Sequence, residues 1–165
     1  MRTFATTVCA VALLGGCAMH PHHPDGPRGP YRGEAQHQQV RVTVKGGIIS
    51  VSPEPLVFLR SEREQRIQWL LPRGLSFADN GITIEGQLLD PATKRPLRPV
   101  PDATKTERAL VDRSQQELVD CRPEADGQRY SCLNRNSRPG VYRYTIRVRA
   151  DGKLLVWDPA IMNME

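Results

Sequence analysis

The strongest constraint on the fold of this chain is the alternation of residue types on both sides of Asp151-Gly152. An Asp-Gly pair between two alternating runs is typical of a type I′ hairpin turn. Such a turn places Val148 opposite Leu155 and Ile146 opposite Trp157. One face of the first strand then carries apolar side chains, and the other face carries Arg143, Thr145, Arg147 and Arg149. We expect this hairpin to form one wall of a hydrophobic core.

Similar short runs recur upstream, so that the sequence predicts seven or eight strands. Alternating or apolar segments lie at 40–45, 49–51, 56–59, 65–71 and 82–84. Pro53 and Pro55 confine the segment around them to a sheet edge or to a crossing between sheets. Strands do not alternate with helices, and the pattern therefore predicts an all-β fold, an antiparallel β-sandwich of residues 40–165. Its core is expected to contain Trp69, Trp157, Tyr142 and Tyr144.

Three further segments have weaker patterns. Asp79-Asn80-Gly81 predicts a turn. Residues 90–108 contain four prolines, which exclude a helix or an inner strand, so a long Pro-rich loop is expected. Residues 106–119 predict a short helix, because four apolar side chains nearly share one helical face: Leu110, Val111, Leu118 and Val119.

Cys121 and Cys132 lie on either side of a second Asp-Gly pair, Asp126-Gly127. A two-residue turn there would place the cysteines directly opposite each other, within the distance that a disulfide requires. In that register Pro123 would occupy a hydrogen-bonding position without an N–H, so we expect a longer or bulged loop. The arrangement predicts a Cys121–Cys132 disulfide.

Residues 1–16 have the composition of a secretory signal. Arg2 supplies the positive start, an apolar stretch covers 4–14, and Gly15-Gly16 are the small residues at its end. The apolar stretch is shorter than the ~20 residues that a membrane span needs. Removal of this segment would also remove Cys9. It would leave Cys121 and Cys132 as a pair in a compartment where disulfides form.

Residues 17–39 have the composition of a Pro/Gly/His-rich tether, without an apolar period. All four histidines of the chain lie in it: His20, His22, His23 and His37. Imidazoles bind Zn²⁺, Cu²⁺ and Ni²⁺, but no cysteine or carboxylate cluster nearby completes a ligand shell. Metal or ligand handling by His20, His22 and His23 is therefore the alternative hypothesis for function, and no metal site is expected in the β domain.

The segment Leu14-Gly15-Gly16-Cys17 resembles the lipobox of bacterial lipoprotein precursors. This resemblance implies cleavage before Cys17, addition of palmitate and diacylglycerol at that residue, and a lipid anchor in the membrane. In that group an Asp after the lipidated cysteine commonly signals inner-membrane retention. Ala18 stands there, which implies the outer membrane with the domain on its periplasmic face. Nucleic acid is not an expected partner in that compartment, whereas a net charge of +5 suits an anionic glycan, lipid or protein.

Residues 40–84, with Ser52-Pro53 before one strand and Ile67-Gln68-Trp69 in the next, resemble the first half of a cupredoxin-like sandwich. The run from Pro139 to Tyr144 resembles the start of a closing strand in cupredoxin-like and immunoglobulin-like folds. A blue-copper site needs two histidines and a cysteine, and no histidine follows His37. The resemblance therefore implies a shape without copper, and no cofactor is expected.

Catalysis by a Ser-His or Cys-His pair needs an imidazole, which the predicted domain lacks. The acids Asp79, Glu85 and Asp158 lie at predicted strand ends, where roles in turns are common. We therefore expect a protein that is not an enzyme.

Five arginines lie close together in the sequence: Arg135, Arg138, Arg143, Arg147 and Arg149. Guanidinium groups pair with phosphate or carboxylate through two parallel hydrogen bonds. These arginines predict an anion-binding surface. The function expected from the whole sequence is that of a non-enzymatic envelope lipoprotein, which presents a β-sandwich to a protein or an anionic ligand.

Overall fold

The computed structural model describes residues 37–99 and 109–165, which form eleven strands in two facing sheets. The predicted signal, Cys17 and the histidines at 20, 22 and 23 lie outside these residues. The all-β prediction is confirmed, and the two sheets form a β-sandwich. Within 37–99 and 109–165 there is no helix with the length and apolar character needed to cross a membrane.

Each sheet has a central strand that carries the largest core side chains. Sheet 1 has the order β2 (Ile48–Ser52), β1 (His37–Lys45), β4 (Gln65–Leu70), β8 (Arg129–Asn134), β7 (Leu118–Pro123). Sheet 2 has the order β3 (Leu56–Phe58), β11 (Ala160–Asn163), β9 (Gly140–Ala150), β5 (Ser76–Leu89), β6 (Leu110–Asp112). The remaining strand, β10 (Lys153–Trp157), continues the edge of sheet 2 by pairing with the second half of β9.

Two of the strand pairs are parallel, which corrects the prediction of a purely antiparallel sandwich. After β1 and β2, the Pro53–Pro55 segment carries the chain across to sheet 2, as the prolines predicted. The chain then returns to sheet 1, where β4 pairs with β1 in a parallel direction. In sheet 2, β3 pairs in parallel with β11. The alternation of side chains defines a buried face, but it does not define strand direction.

The core between the sheets contains two aromatic contacts. Trp69 of β4 packs on Tyr144 of β9 with ring centroids 5.3 Å apart. Phe77 of β5 meets Tyr130 of β8 in an edge-to-face contact at 5.7 Å. Both pairs join sheet 1 to sheet 2, and all four rings are buried.

The β9–β10 hairpin has the predicted register, with Val148 opposite Leu155 and Ile146 opposite Trp157. Asp151 and Gly152 both have positive φ, as a type I′ turn requires. The prediction that Trp157 lies in the core is wrong, because β10 is a short edge strand. The Trp157 indole lies beside the Pro53–Pro55 crossing and donates a hydrogen bond to Glu54 at 3.3 Å.

Several segment boundaries differ from the predictions. Residues 79–81 form a bulge inside the long strand β5 and not a turn. The predicted helix at 106–119 is wrong for its described part, where β6 is followed by a turn and by the start of β7. Strand β1 begins at His37, in the predicted tether, because its first residues pair with β4.

The described part of the Pro-rich loop, residues 90–99, is a tight turn that folds back on β5. The Asp90 carboxylate accepts hydrogen bonds from the backbone N–H groups of Ala92 and Thr93. These bonds, led by that from Thr93, lower the pKa of Asp90. Leu97 then packs on a small second core, whose buried members are Leu88, Val141 and Met162.

The predicted disulfide between Cys121 and Cys132 is present, with their Cα atoms 4.1 Å apart. Strand β7 has a bulge between Val119 and Arg122, outside the loop for which a bulge was one of the two expectations. The turn is longer than two residues, because Gly127 N–H donates to the Glu124 carbonyl and Glu124 N–H donates to the Arg129 carbonyl. The disulfide thus closes a short hairpin at the edge of sheet 1.

Replacing both cysteines by alanine (C121A/C132A) is expected to lower the free energy of unfolding by about 3 kcal/mol. The reason is the additional conformational freedom of the unfolded chain once the short loop is open. Urea denaturation with and without reductant measures the effect. Reductant should destabilise the wild-type chain by a similar amount and leave the double variant unchanged. A wild-type chain insensitive to reductant would contradict the prediction.

Candidate functional site

One end of the sandwich contains a polar cleft of about 240 Å³. It lies between the loop that joins β6 to β7 and the loop that joins β8 to β9, with Gln87 of β5 at its side. Its ionisable and hydroxyl side chains are Asp112, Ser114, Glu117, Arg135, Ser137, Arg138 and Tyr142.

The carboxyl group of Glu117 is buried at this cleft, with the residue only 6% exposed. One of its oxygens accepts a hydrogen bond from the Ser137 backbone N–H at 2.7 Å, and the other accepts one from the Ser137 hydroxyl at 2.7 Å. The Glu117 backbone carbonyl accepts the N–H of Arg135 at 2.8 Å. Glu117 therefore holds the β8–β9 loop at two positions.

Glu117 directly precedes β7, and local hydrogen bonds fix its position there. The Gln115 side-chain oxygen accepts the N–H groups of Glu117 and Leu118, at 2.8 and 3.0 Å. Leu118 is buried in the main core, so Glu117 must be the last residue of the turn. Asp112 begins the same turn and accepts the hydroxyl and N–H of Ser114, which lower the pKa of Asp112.

Three buried asparagines hold the same loop from the other side. Asn134 and Asn163 exchange hydrogen bonds between their amides at 2.8 and 3.2 Å, which joins β8 to β11. Asn136 donates to the carbonyl groups of Leu59 and Glu62 at 2.6 and 3.0 Å. Asn136 also has a positive φ of 46°, a conformation that asparagine tolerates better than most residues.

The end of the loop is held by Tyr142 and Gln87. The Tyr142 hydroxyl donates to the Arg138 carbonyl, and the Gln87 amide donates to the Pro139 carbonyl, both at 3.4 Å. Burial, aided by the nearby Glu117, raises the pKa of Tyr142.

The structure divides the five predicted arginines into two groups. Arg135 and Arg138 line the cleft. Arg143, Arg147 and Arg149 lie on β9, on the face turned away from the core. There Arg147 donates to the Thr83 hydroxyl at 2.9 Å, and Glu85 accepts the Thr145 hydroxyl at 2.7 Å.

Within residues 37–99 and 109–165, no three or more His, Cys, Asp or Glu side chains are grouped in a way that would hold a metal ion. The histidines at 20, 22 and 23 are not described, and their metal binding stays a prediction. No protein-family model matches this sequence. No curated protein sequence matches it either.

The residues that shape the cleft were missed by sequence reasoning. Glu117 fell in a predicted helix, and no role was predicted for Asn134 or Asn136. The run from Asn134 to Gly140 has loop composition, which is a signal for a turn but not for a binding site. The contact between Glu117 and Ser137 joins residues 20 positions apart and leaves no local pattern.

Removing the Glu117 carboxyl group tests whether it holds the loop. We expect Glu117→Ala to lower the free energy of unfolding by about 2 kcal/mol, because both hydrogen bonds from Ser137 to the buried carboxylate are lost. Ser137→Ala should cost about 1 kcal/mol, since the backbone N–H bond remains. Urea denaturation measures both variants. Gln116→Ala, an exposed change in the same turn, should stay within about 0.5 kcal/mol of wild type; an equal loss in that control would contradict the assignment.

Proposed function

We propose that the mature chain is a lipid-anchored protein of the bacterial envelope, without catalytic activity, which presents its β-sandwich to a protein partner. The observation that carries the proposal is strand β10, an edge strand with exposed apolar side chains. Leu154, Val156 and Trp157 are 53%, 51% and 42% exposed. Among the described strands, β10 pairs only with β9.

An edge strand of this kind is suited to binding an extended segment of another protein. Its outer backbone groups are available for a further row of sheet hydrogen bonds, and exposed apolar side chains add contact area. Clusters of exposed apolar residues on a soluble domain commonly mark interaction sites.

The arginines of β9 supply the charge of this surface. Arg149 lies opposite Leu154, and Arg147 lies opposite Val156. The aliphatic side chains Leu154 and Val156 thus share one face with these arginines, and arginine is enriched at protein interfaces. The expected partner segment therefore combines apolar residues with acidic ones, and the predicted anionic ligand of these arginines is a carboxylate of that partner.

The anchor in this proposal is Cys17, and residues 17–36 connect the lipid to strand β1. Leu14-Gly15-Gly16-Cys17 supports the anchor through its resemblance to a lipobox. A single polypeptide then joins a membrane attachment to a folded binding domain.

The anchor is tested by comparing two cysteine variants in intact cells. Cys17→Ser should abolish palmitate labelling and move the protein from the detergent phase to the aqueous phase, because the acylated residue is gone. Cys9→Ser is the matched control and should leave both readouts unchanged, since that cysteine is removed with the signal. Labelling that persists in Cys17→Ser would overturn the anchor.

The binding surface is tested by photo-crosslinking in intact cells. A photoreactive residue in place of Leu154 should form a discrete adduct with one envelope protein. Arg147→Gln with Arg149→Gln should weaken that adduct, because the paired charges are lost. The same photoreactive residue at Leu59, which is 57% exposed elsewhere on the domain, is the control. Equal adducts at both positions, or none at Leu154, would contradict the proposal.

A further inference from the structure

We infer that the cleft formed by the β6–β7 and β8–β9 loops is a second binding site, for a small carboxylate that also carries hydrogen-bond donors. Arg135 and Arg138 bind the carboxylate, and Asp112 accepts from the donors. The site is separate from the β10 surface, and the inference does not depend on the partner proposed for that surface.

The two arginines are carried by a loop whose backbone is held at successive residues. The N–H of Arg135 is bound by Glu117, and its carbonyl accepts the N–H of Glu64 at 3.3 Å. Asn136 and Ser137 are bound through their side chains. The carbonyl groups of the next two residues accept from Tyr142 and Gln87.

This anchoring uses the buried polar side chains of Glu117 and Asn136. Buried polar side chains weaken a fold unless each one is hydrogen-bonded. Here all buried side-chain nitrogen and oxygen atoms of the described residues have a partner. The result is a rigid loop, and rigidity before binding reduces the entropy lost when a ligand is held.

Arg135 and Arg138 are the groups that this loop directs toward the cleft. Their guanidinium groups make no hydrogen bond or ion pair with another described residue, and both residues are exposed. A guanidinium group favours the planar, two-point pairing that a carboxylate offers. Two such groups three positions apart on a fixed loop form a site for one carboxylate.

The acids at the cleft select among anions. Asp112 is ionised at neutral pH, as an aspartate ordinarily is, and the hydrogen bonds from Ser114 lower its pKa further. A dianionic phosphate would therefore meet a like charge across the cleft. A singly charged carboxylate with hydroxyl or ammonium groups meets less repulsion and can donate hydrogen bonds to Asp112. The volume of about 240 Å³ is below that of most drug-sized pockets, which indicates a ligand no larger than a monosaccharide.

Matched pairs of probes test the inference on the mature chain by NMR. D-galacturonate is paired with D-galactose, and D-lactate with propane-1,2-diol, so that the members of each pair differ chiefly by the carboxylate. At least one carboxylate should shift the side-chain N–H signals of Arg135 and Arg138 saturably below about 10 mM, a range that corresponds to weak but specific binding. Its neutral counterpart should not.

Variants separate the cleft from general charge effects. Arg135→Gln and Arg138→Gln should each weaken binding of the carboxylate at least fivefold. Arg73→Gln removes the same charge from an exposed turn between β4 and β5, outside the cleft, and should leave binding unchanged. The inference is overturned if neither carboxylate binds, if the neutral probes bind equally well, if Arg73→Gln weakens binding as much, or if inorganic phosphate binds more tightly than both carboxylates.

Discussion

The contact between Trp69 and Tyr144 joins the central strand of one sheet to the central strand of the other. Both side chains are almost completely buried, at 0% and 1% exposure. The Trp69 indole N–H donates to the Tyr144 hydroxyl at 3.3 Å, so each ring has an internal partner for its polar atom. Burial raises the pKa of Tyr144, which keeps the hydroxyl neutral in the core. The two strands in this contact belong to different sheets, so the chain must cross from one sheet to the other between them.

The crossing from β8 to β9 follows directly from that arrangement. Strand β8 lies beside the central strand of sheet 1, and β9 is the central strand of sheet 2, so residues 135–139 must pass across one end of the sandwich. Backbone N–H and carbonyl groups that leave a sheet ladder need other hydrogen-bond partners. Glu117 accepts the N–H of Ser137, Asn134 accepts the N–H of Asn136, and Tyr142 donates to the carbonyl of Arg138. The same bonds that make the crossing stable also make the cleft rigid.

The sequence predicted the parts of the fold that depend on neighbouring residues. The β9–β10 hairpin was correct because its alternation and its Asp-Gly turn act over a few positions, and the Cys121–Cys132 disulfide was correct for the same reason. Trp157 was misplaced because alternation identifies a face but not whether the strand lies at an edge. Among the cleft residues, Arg135 and Arg138 were predicted from the arginine-rich composition of their segment. Glu117 was not, since its role depends on a contact between two distant loops.

The short length of β10 bears on how its exposed edge can be used. The strand is limited at one end by the Asp151-Gly152 turn and at the other by Pro159, which has no N–H to continue a ladder. The Pro159 carbonyl is already occupied, because it accepts the N–H of Tyr144 at 3.1 Å. Only five residues can therefore pair with an added strand. A long exposed edge favours open-ended aggregation, whereas a short edge favours the binding of a single segment. The specificity for that segment must then come from side chains such as Leu154 and Arg147.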